Sequence, residues 1–457
     1  MNLALFPAFL AAGIARFGRI LRRLGGIGLL LPLCACAASQ AVLPPSTSLS
    51  AESLYASLYP FYAEICALGA LKKKPGFGAE VSSGIGGHAV FYLNGVCRKP
   101  DSAYPVLILC EGTPGKEGVD GVGLSVNAHY ANANWVAVEG RNFFFEGGME
   151  PGQPLTREAY AAVLKEAKAK KIYDSVTFHD EVFKDMPPGF SEQDFKYEVS
   201  AATDFALAFG RNRYCGRVPM NRTQTIAMIE YLNSLNEPYR SGKASFDWSL
   251  TADNCAEMNH NTLAAALIWD LWEGGHSFLT AYFSFPVPKN EFVNLVRRTN
   301  DMEIDDLEAV WRDPSARRLL LEEGRLPTGP GAIIDLGRVI PENDVYETES
   351  PIIFYEIPIV GRYTEHFDTI LTERRYYDLR ENLGYFASLY ERIRKARQPL
   401  DAHLQRIGSD PKERKDFSAF YRRYYAYVDK ESVAVQQTKA QLEKTLPERG
   451  TLTANAL

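Results

Sequence analysis

Four short β-rich runs crowd the stretch from His88 to Val138, and long helical patterns follow. The runs are His88–Val96, Pro105–Cys110, Val122–Val126 and Trp135–Val138, each bounded by Gly, Pro, Asn or Asp. Runs this close, joined by turn residues and not by crossover helices, pair as an antiparallel sheet. Helical periodicity then covers Thr156–Lys171, Ser191–Phe209, Thr223–Leu235 and Cys255–Trp272. Strands first and helices afterwards make the fold class α+β. With 46% hydrophobic residues over 457 positions, the chain has ample material for a core.

Other elements are less regular. Leu54–Leu71 carries apolar residues at helical spacing and reads as a helix, closed by Lys72-Lys73-Lys74-Pro75-Gly76. Tyr214–Val218, Phe246–Leu250, Ala332–Leu336 and Ile352–Ile357 read as strands. Pro238 to Gly242 reads as a turn, and Glu291–Arg298 and Ile304–Arg312 as helices. From Tyr376 to Leu446 the chain is Arg-, Lys- and Tyr-rich and mainly helical. Its charges read as a solvated face and its tyrosines as packing against the main domain; a basic surface for anionic lipid or cell-wall polymer is the other reading.

The N-terminus has the form of an export signal. Arg16, Arg19, Arg22 and Arg23 precede a short apolar core, Leu24 to Leu33. Leu33-Cys34-Ala35-Cys36 resembles a bacterial lipobox. Cys36 fits the lipidated position better than Cys34, because Leu33 is large for the residue before the cleavage site. An ordinary secretory signal cut near Ala38 is the alternative. The lipobox places the chain in the cell envelope, anchored to a bacterial membrane by its lipid and facing the periplasm. Ala37, not an acidic residue, follows Cys36 and favours the outer membrane. A net charge of −6 argues against nucleic-acid binding. Residues 1–36 are thus a signal, 37–50 a tether, 51–288 the main domain, 289–370 a mixed α/β extension and 371–457 a helical region with a disordered tail.

Five cysteines remain after Cys36: Cys66, Cys97, Cys110, Cys215 and Cys255. An oxidising compartment can pair four and leave one free, and Cys255 is the candidate for the free thiol. The alternative is several buried, unpaired thiols.

Cys255 stands where a helix opens, within Asp253-Asn254-Cys255-Ala256-Glu257, with Thr251 or Asp253 as candidate N-cap. A helix start lowers a thiol pKa through its unpaired N–H groups. Far upstream, His88 follows a glycine-rich stretch at the head of a strand and can act as base. The arrangement resembles circularly permuted papain-like proteins, relatives of the NlpC-type cell-wall peptidases and the lecithin:retinol acyltransferase-like enzymes. These place a strand histidine first and an Asn-Cys pair opening a helix later, led in by aromatic–x–Leu. Trp248-Ser249-Leu250 and Asn254-Cys255 match that pattern over about residues 80 to 272. The chain departs from it after the cysteine, reading Cys-Ala-Glu-Met where the acyltransferase-like branch has Cys-Glu-His-Phe, and it carries a long insertion between the motifs.

The resemblance implies a cysteine hydrolase or acyltransferase acting on an amide, ester or thioester, such as a peptidoglycan peptide or a lipid-linked acyl group. Cys255 is then the nucleophile and His88 the base. Glu111 is the first choice for the residue orienting the imidazole, with His129 and Asn127 as rivals. A non-catalytic binding or scaffolding lipoprotein is the competing class. The pairs Glu257–His260 and Glu273–His276 have the spacing of di-iron helix bundles, but two further bridging glutamates are not apparent, so no metal or cofactor is expected.

Overall fold

A computed structural model describes residues 49–82, 87–112, 121–249, 253–272, 288–352 and 362–445. Six antiparallel strands form its centre in the order β6-β5-β2-β1-β7-β8. They are β1 (Tyr62–Leu68), β2 (His88–Asn94), β5 (Val122–Ser125), β6 (Val136–Glu139), β7 (Arg213–Pro219) and β8 (Ile333–Gly337). Strands β3 (Val96–Arg98) and β4 (Leu107–Leu109) make a separate two-stranded ribbon. The class is α+β as expected, with a mainly helical C-terminal part.

Nearly every residue of the six-stranded sheet is buried, because helices cover both faces. Two glycines mark where they press closest. A Cβ on Gly123 would sit 2.1 Å from the Phe144 ring of helix α2 (Arg141–Glu146). A Cβ on Gly216 would come within 3.1 Å of Leu295 on α7 (Pro288–Asn300). Gly123 aligns through Tyr92 and Glu64 with Arg217, the neighbour of Gly216. Strand alternation therefore puts the two helices on opposite faces.

The first face also carries buried charge. Glu64 and Arg217 stand opposite each other on β1 and β7 and form an ion pair. Arg141 bonds Glu64 at 2.7 Å and Asp335 at 2.6 Å, while Arg213 bonds Glu146 at 2.9 Å and Asp335 at 3.2 Å. Glu52 of helix α1 (Leu49–Leu58) closes the network on Arg217 at 2.7 Å. The network ties α1, α2 and three strands together.

Several sequence expectations need correction. The helix expected over Leu54–Leu71 ends at Leu58, and Tyr62–Leu68 is instead the central strand β1. Its seven residues are all buried, so period-two alternation is lost and the run imitates a helix. Phe246–Ser249 is irregular backbone, docked by the Phe246 N–H to the Ala131 carbonyl at 2.7 Å. The turn expected from Pro238 lies partly within α5 (Arg222–Arg240), whose last turns are held by Asn236 bonds to Asn134 and Trp135. The Ser191–Phe209 helix is α4 (Glu192–Ser200) followed by a separate 3-10 turn, Leu207–Phe209. Helix α6 runs from Cys255 to Ala265, shorter than expected, because the chain turns at Leu267 with φ 60°. Residues 353–357 of the expected Ile352–Ile357 strand lie outside the described residues, as do Cys36, Glu273, His276 and the C-terminal tail.

The C-terminal helices α11 (Leu379–Lys395) and α13 (Pro411–Thr445) pack on each other around their own apolar cluster. Tyr390, Tyr424 and Tyr427 are buried there with Trp311, and the tyrosine hydroxyls reach one another or backbone carbonyls. The tyrosines thus build a core among the helices.

Candidate functional site

Helix α6 begins at Cys255 because Asn254 caps it. The Asn254 side chain accepts from the N–H groups of Ala256 at 3.0 Å and Glu257 at 3.1 Å. Of the two caps expected from the sequence, Thr251 lies outside the described residues, and Asp253 has φ 54° and turns the chain into the helix. The Asp253 N–H donates a return bond to the Glu257 carboxylate at 2.7 Å.

The four cysteines upstream pair as Cys66–Cys215 and Cys97–Cys110, and Cys255 is the free thiol among the described residues. Two disulfides are consistent with an extracytoplasmic protein. Among the described residues no helix is long and apolar enough to cross a membrane.

The backbone N–H of Ala89, in the peptide that joins Ala89 to His88, acts on the Cys255 thiol and favours its ionised form. Helix α6 packs on β2 to bring this about. Burial pushes the thiol pKa above its ordinary 9.0. The N–H groups of Ala89, Ala256 and Cys255 itself, and the Arg211 charge, pull the other way without winning.

His88 heads β2 and is buried. Its Nε2 lies 3.0 Å from Ser125 Oγ, and Ser125 in turn donates to Asp204 Oδ1 at 2.7 Å. A serine hydroxyl has one proton. With that proton directed at Asp204, Oγ accepts from Nε2–H, so Nδ1 keeps its lone pair. Burial, then the Arg211 charge, holds the imidazole pKa well below 6.5, against the Thr203 carbonyl. The ring is therefore neutral at neutral pH.

Asp204 is fully buried and firmly held. Its Oδ2 accepts from Tyr130 at 2.6 Å, Tyr173 at 3.0 Å and Asn127 at 3.1 Å. Burial and the Asp204 charge push both phenols well above 10.0. The carboxylate behind His88 is thus Asp204, reached through Ser125. Glu111 is exposed, just past β4 of the ribbon. Of the two rivals, Asn127 belongs to the Asp204 cluster, and His129 is bonded to Asn127 by its backbone N–H at 3.1 Å.

Two cations complete the site. Arg211 is 2% exposed and Lys289 is fully buried at the start of α7. Both act electrostatically on Cys255. Neither stands out in the sequence, since an isolated Arg or Lys reads as surface.

The metal pair is otherwise employed. His260 Nδ1 meets Glu291 at 2.7 Å and Nε2 meets the Asp270 carbonyl at 3.0 Å, with the ring stacked on Trp269 at 4.4 Å. Both nitrogens donate, which makes an imidazolium and no metal ligand. Glu64, Cys66 and Cys215 also converge, but the cysteines are bonded to each other and Glu64 to arginines.

Comparisons with family models, curated proteins and solved structures found no match to this chain.

Proposed function

We propose that this chain is a cell-envelope lipoprotein whose core is a permuted papain-like domain, acting as a cysteine hydrolase or acyltransferase on an amide, ester or thioester. The observation that carries the reading is the free Cys255 thiol at the start of α6, a helix packed on β2, the strand that His88 heads with its Nε2 engaged by Ser125.

The chemistry follows from that geometry. Thiol and imidazole are both neutral at rest. His88 Nδ1 takes the thiol proton as sulfur bonds to the acyl carbon. The N–H groups of Ala89, Cys255 and Ala256, which favour the ionised sulfur, would share the oxyanion. His88 returns the proton to the leaving group as its bond to the acyl carbon breaks. Water or a second acceptor then attacks the thioester, and the thiol is restored. Asp204 holds Ser125, which holds the tautomer, as the third member does in any triad. The lipid on Cys36 and an envelope substrate, a peptidoglycan peptide or lipid-linked acyl group, complete the proposal. The disulfides support that address.

A binding or scaffolding lipoprotein remains the second reading, favoured by the raised thiol pKa. Incubation with an activated amide, an ester and a thioester, followed by mass spectrometry of each cysteine, separates the two. An acyl adduct on Cys255, absent in Cys255→Ala and lost with His88→Ala, supports the enzyme. A thiol that takes a small alkylating agent but no acyl group from any donor supports the scaffold.

A further inference from the structure

Arg211 lies between the Leu207–Phe209 turn and β7, and its Nε and Nη1 are buried with no hydrogen-bond partner among the described residues. The arginines of the buried charge network are treated differently. Arg217 is bonded to Glu64 and Glu52, Arg213 to Glu146 and Asp335, and Arg141 to Glu64 and Asp335. The carboxylate that acts on Arg211 is Asp204, whose oxygens are already committed to Ser125, Asn127, Tyr130 and Tyr173.

A second buried cation lies close by. Lys289 Nζ is 2.8 Å from where a Cβ on Gly87 would stand, one residue before His88. Burial pushes Arg211 down to about 10 and Lys289 to about 8, and the two charges repel each other. The thiol, when ionised, acts favourably on both. A buried, unmatched guanidinium is costly, and sites that tolerate one gain by admitting an anion.

We propose that Arg211 and Lys289 form an oxyanion-binding subsite beside Cys255, and that the acyl substrate carries a compact oxyanion, a carboxylate or a phosphate, next to its reacting carbonyl. The substrate half rests on Cys255 being the nucleophile; the binding half does not. Arg211 supplies a planar fork and Lys289 a point charge, so the pair both orients and neutralises the group.

Two measurements test this. The first is thermal melting of the lipid-free protein in sodium acetate, sodium phosphate or acetamide, at ionic strength matched with chloride. Acetate or phosphate should raise the melting temperature and acetamide should not, and the rise should vanish in Arg211→Met. The anion giving the larger rise identifies the source. The second is alkylation of Cys255 by iodoacetate and iodoacetamide, in which the S–C bond forms and iodide leaves. The anionic reagent should react at least about tenfold faster, a preference that Arg211→Met abolishes.

Arg211→Met removes an unmatched charge and keeps the length, so it should fold; Arg211→Lys is the second variant and should retain only part of each effect. No anion-dependent rise, with equal rates for both reagents, overturns the subsite and leaves the nucleophile intact. An anion-dependent rise in a protein whose Cys255 resists both reagents overturns the nucleophile and leaves the subsite.

Discussion

Removing the Cys66–Cys215 disulfide should cost more stability than removing Cys97–Cys110, although both are single bonds. Cys66 and Cys215 stand directly opposite on β1 and β7 and close a loop between residues 149 apart, whereas the second pair spans 13. A crosslink acts mainly on the unfolded chain, and its effect grows with the logarithm of the loop. The chain-entropy relation gives about 5 kcal/mol for the 149-residue separation and about 3 kcal/mol for the separation of 13. The assay is equilibrium urea unfolding of the Cys66→Ala/Cys215→Ala and Cys97→Ala/Cys110→Ala variants without reductant. Alanine is chosen because a serine in the fully buried Cys66 site would add an unpaired hydroxyl. A larger loss for Cys97–Cys110, or a loss below about 1 kcal/mol for Cys66–Cys215, would refute the reasoning, since it would mean that the unfolded chain already holds β1 near β7.

Further outcomes follow from other parts of the molecule. Glu64→Gln leaves the Arg217 side chain, 1% exposed, short of a countercharge and should cost about 3–5 kcal/mol by urea unfolding, with little dependence on salt. Asn254→Ala removes the cap of α6 and should cost about 1 kcal/mol, with faster hydrogen exchange at Ala256 and Glu257. His260 has a pKa above 6.5; burial opposes the shift, and the Glu291 bond outweighs it. A raised folded pKa means its stabilisation is complete below 6.5 and is lost as pH rises through the folded value. Urea midpoints of wild type should therefore fall with rising pH above 6.5, relative to His260→Gln; parallel curves would contradict this.

Much of the fold is legible in the amino-acid pattern. The four turn-bounded runs from His88 to Val138 form β2, β4, β5 and β6, because short strands with turn residues between them leave a local signature; β3, Val96–Arg98, shares only Val96 with them. Strand β1 is not legible. Its run, Tyr-Ala-Glu-Ile-Cys-Ala-Leu, sits between two strands and two helical layers, so burial on both faces erases the alternation. Glu64 inside it looks like a surface residue until Arg217 and Arg141 are seen beside it. In the site, Cys255 and His88 announce themselves through local context, a helix start and a strand head. Ser125 and Asp204 do not. They lie 37 and 116 residues from His88 in sequence, and only the β2–β5 pairing and the loop after α4 bring them together. Arg211 and Lys289 are silent for the same reason: burial, not residue type, makes them unusual.

The central claim is that His88 takes the proton of Cys255, and the pH dependence of acylation tests it most directly. The measurement is the rate at which p-nitrophenyl acetate acetylates Cys255, followed by intact mass, in wild type and His88→Ala of verified fold. With a neutral imidazole acting as base, the wild-type rate should be flat between about pH 7 and 8.5, while that of His88→Ala should rise about tenfold per pH unit with the thiolate fraction. A wild-type rate that climbs tenfold per unit alongside the variant would show that His88 moves no proton, and the catalytic account would fall.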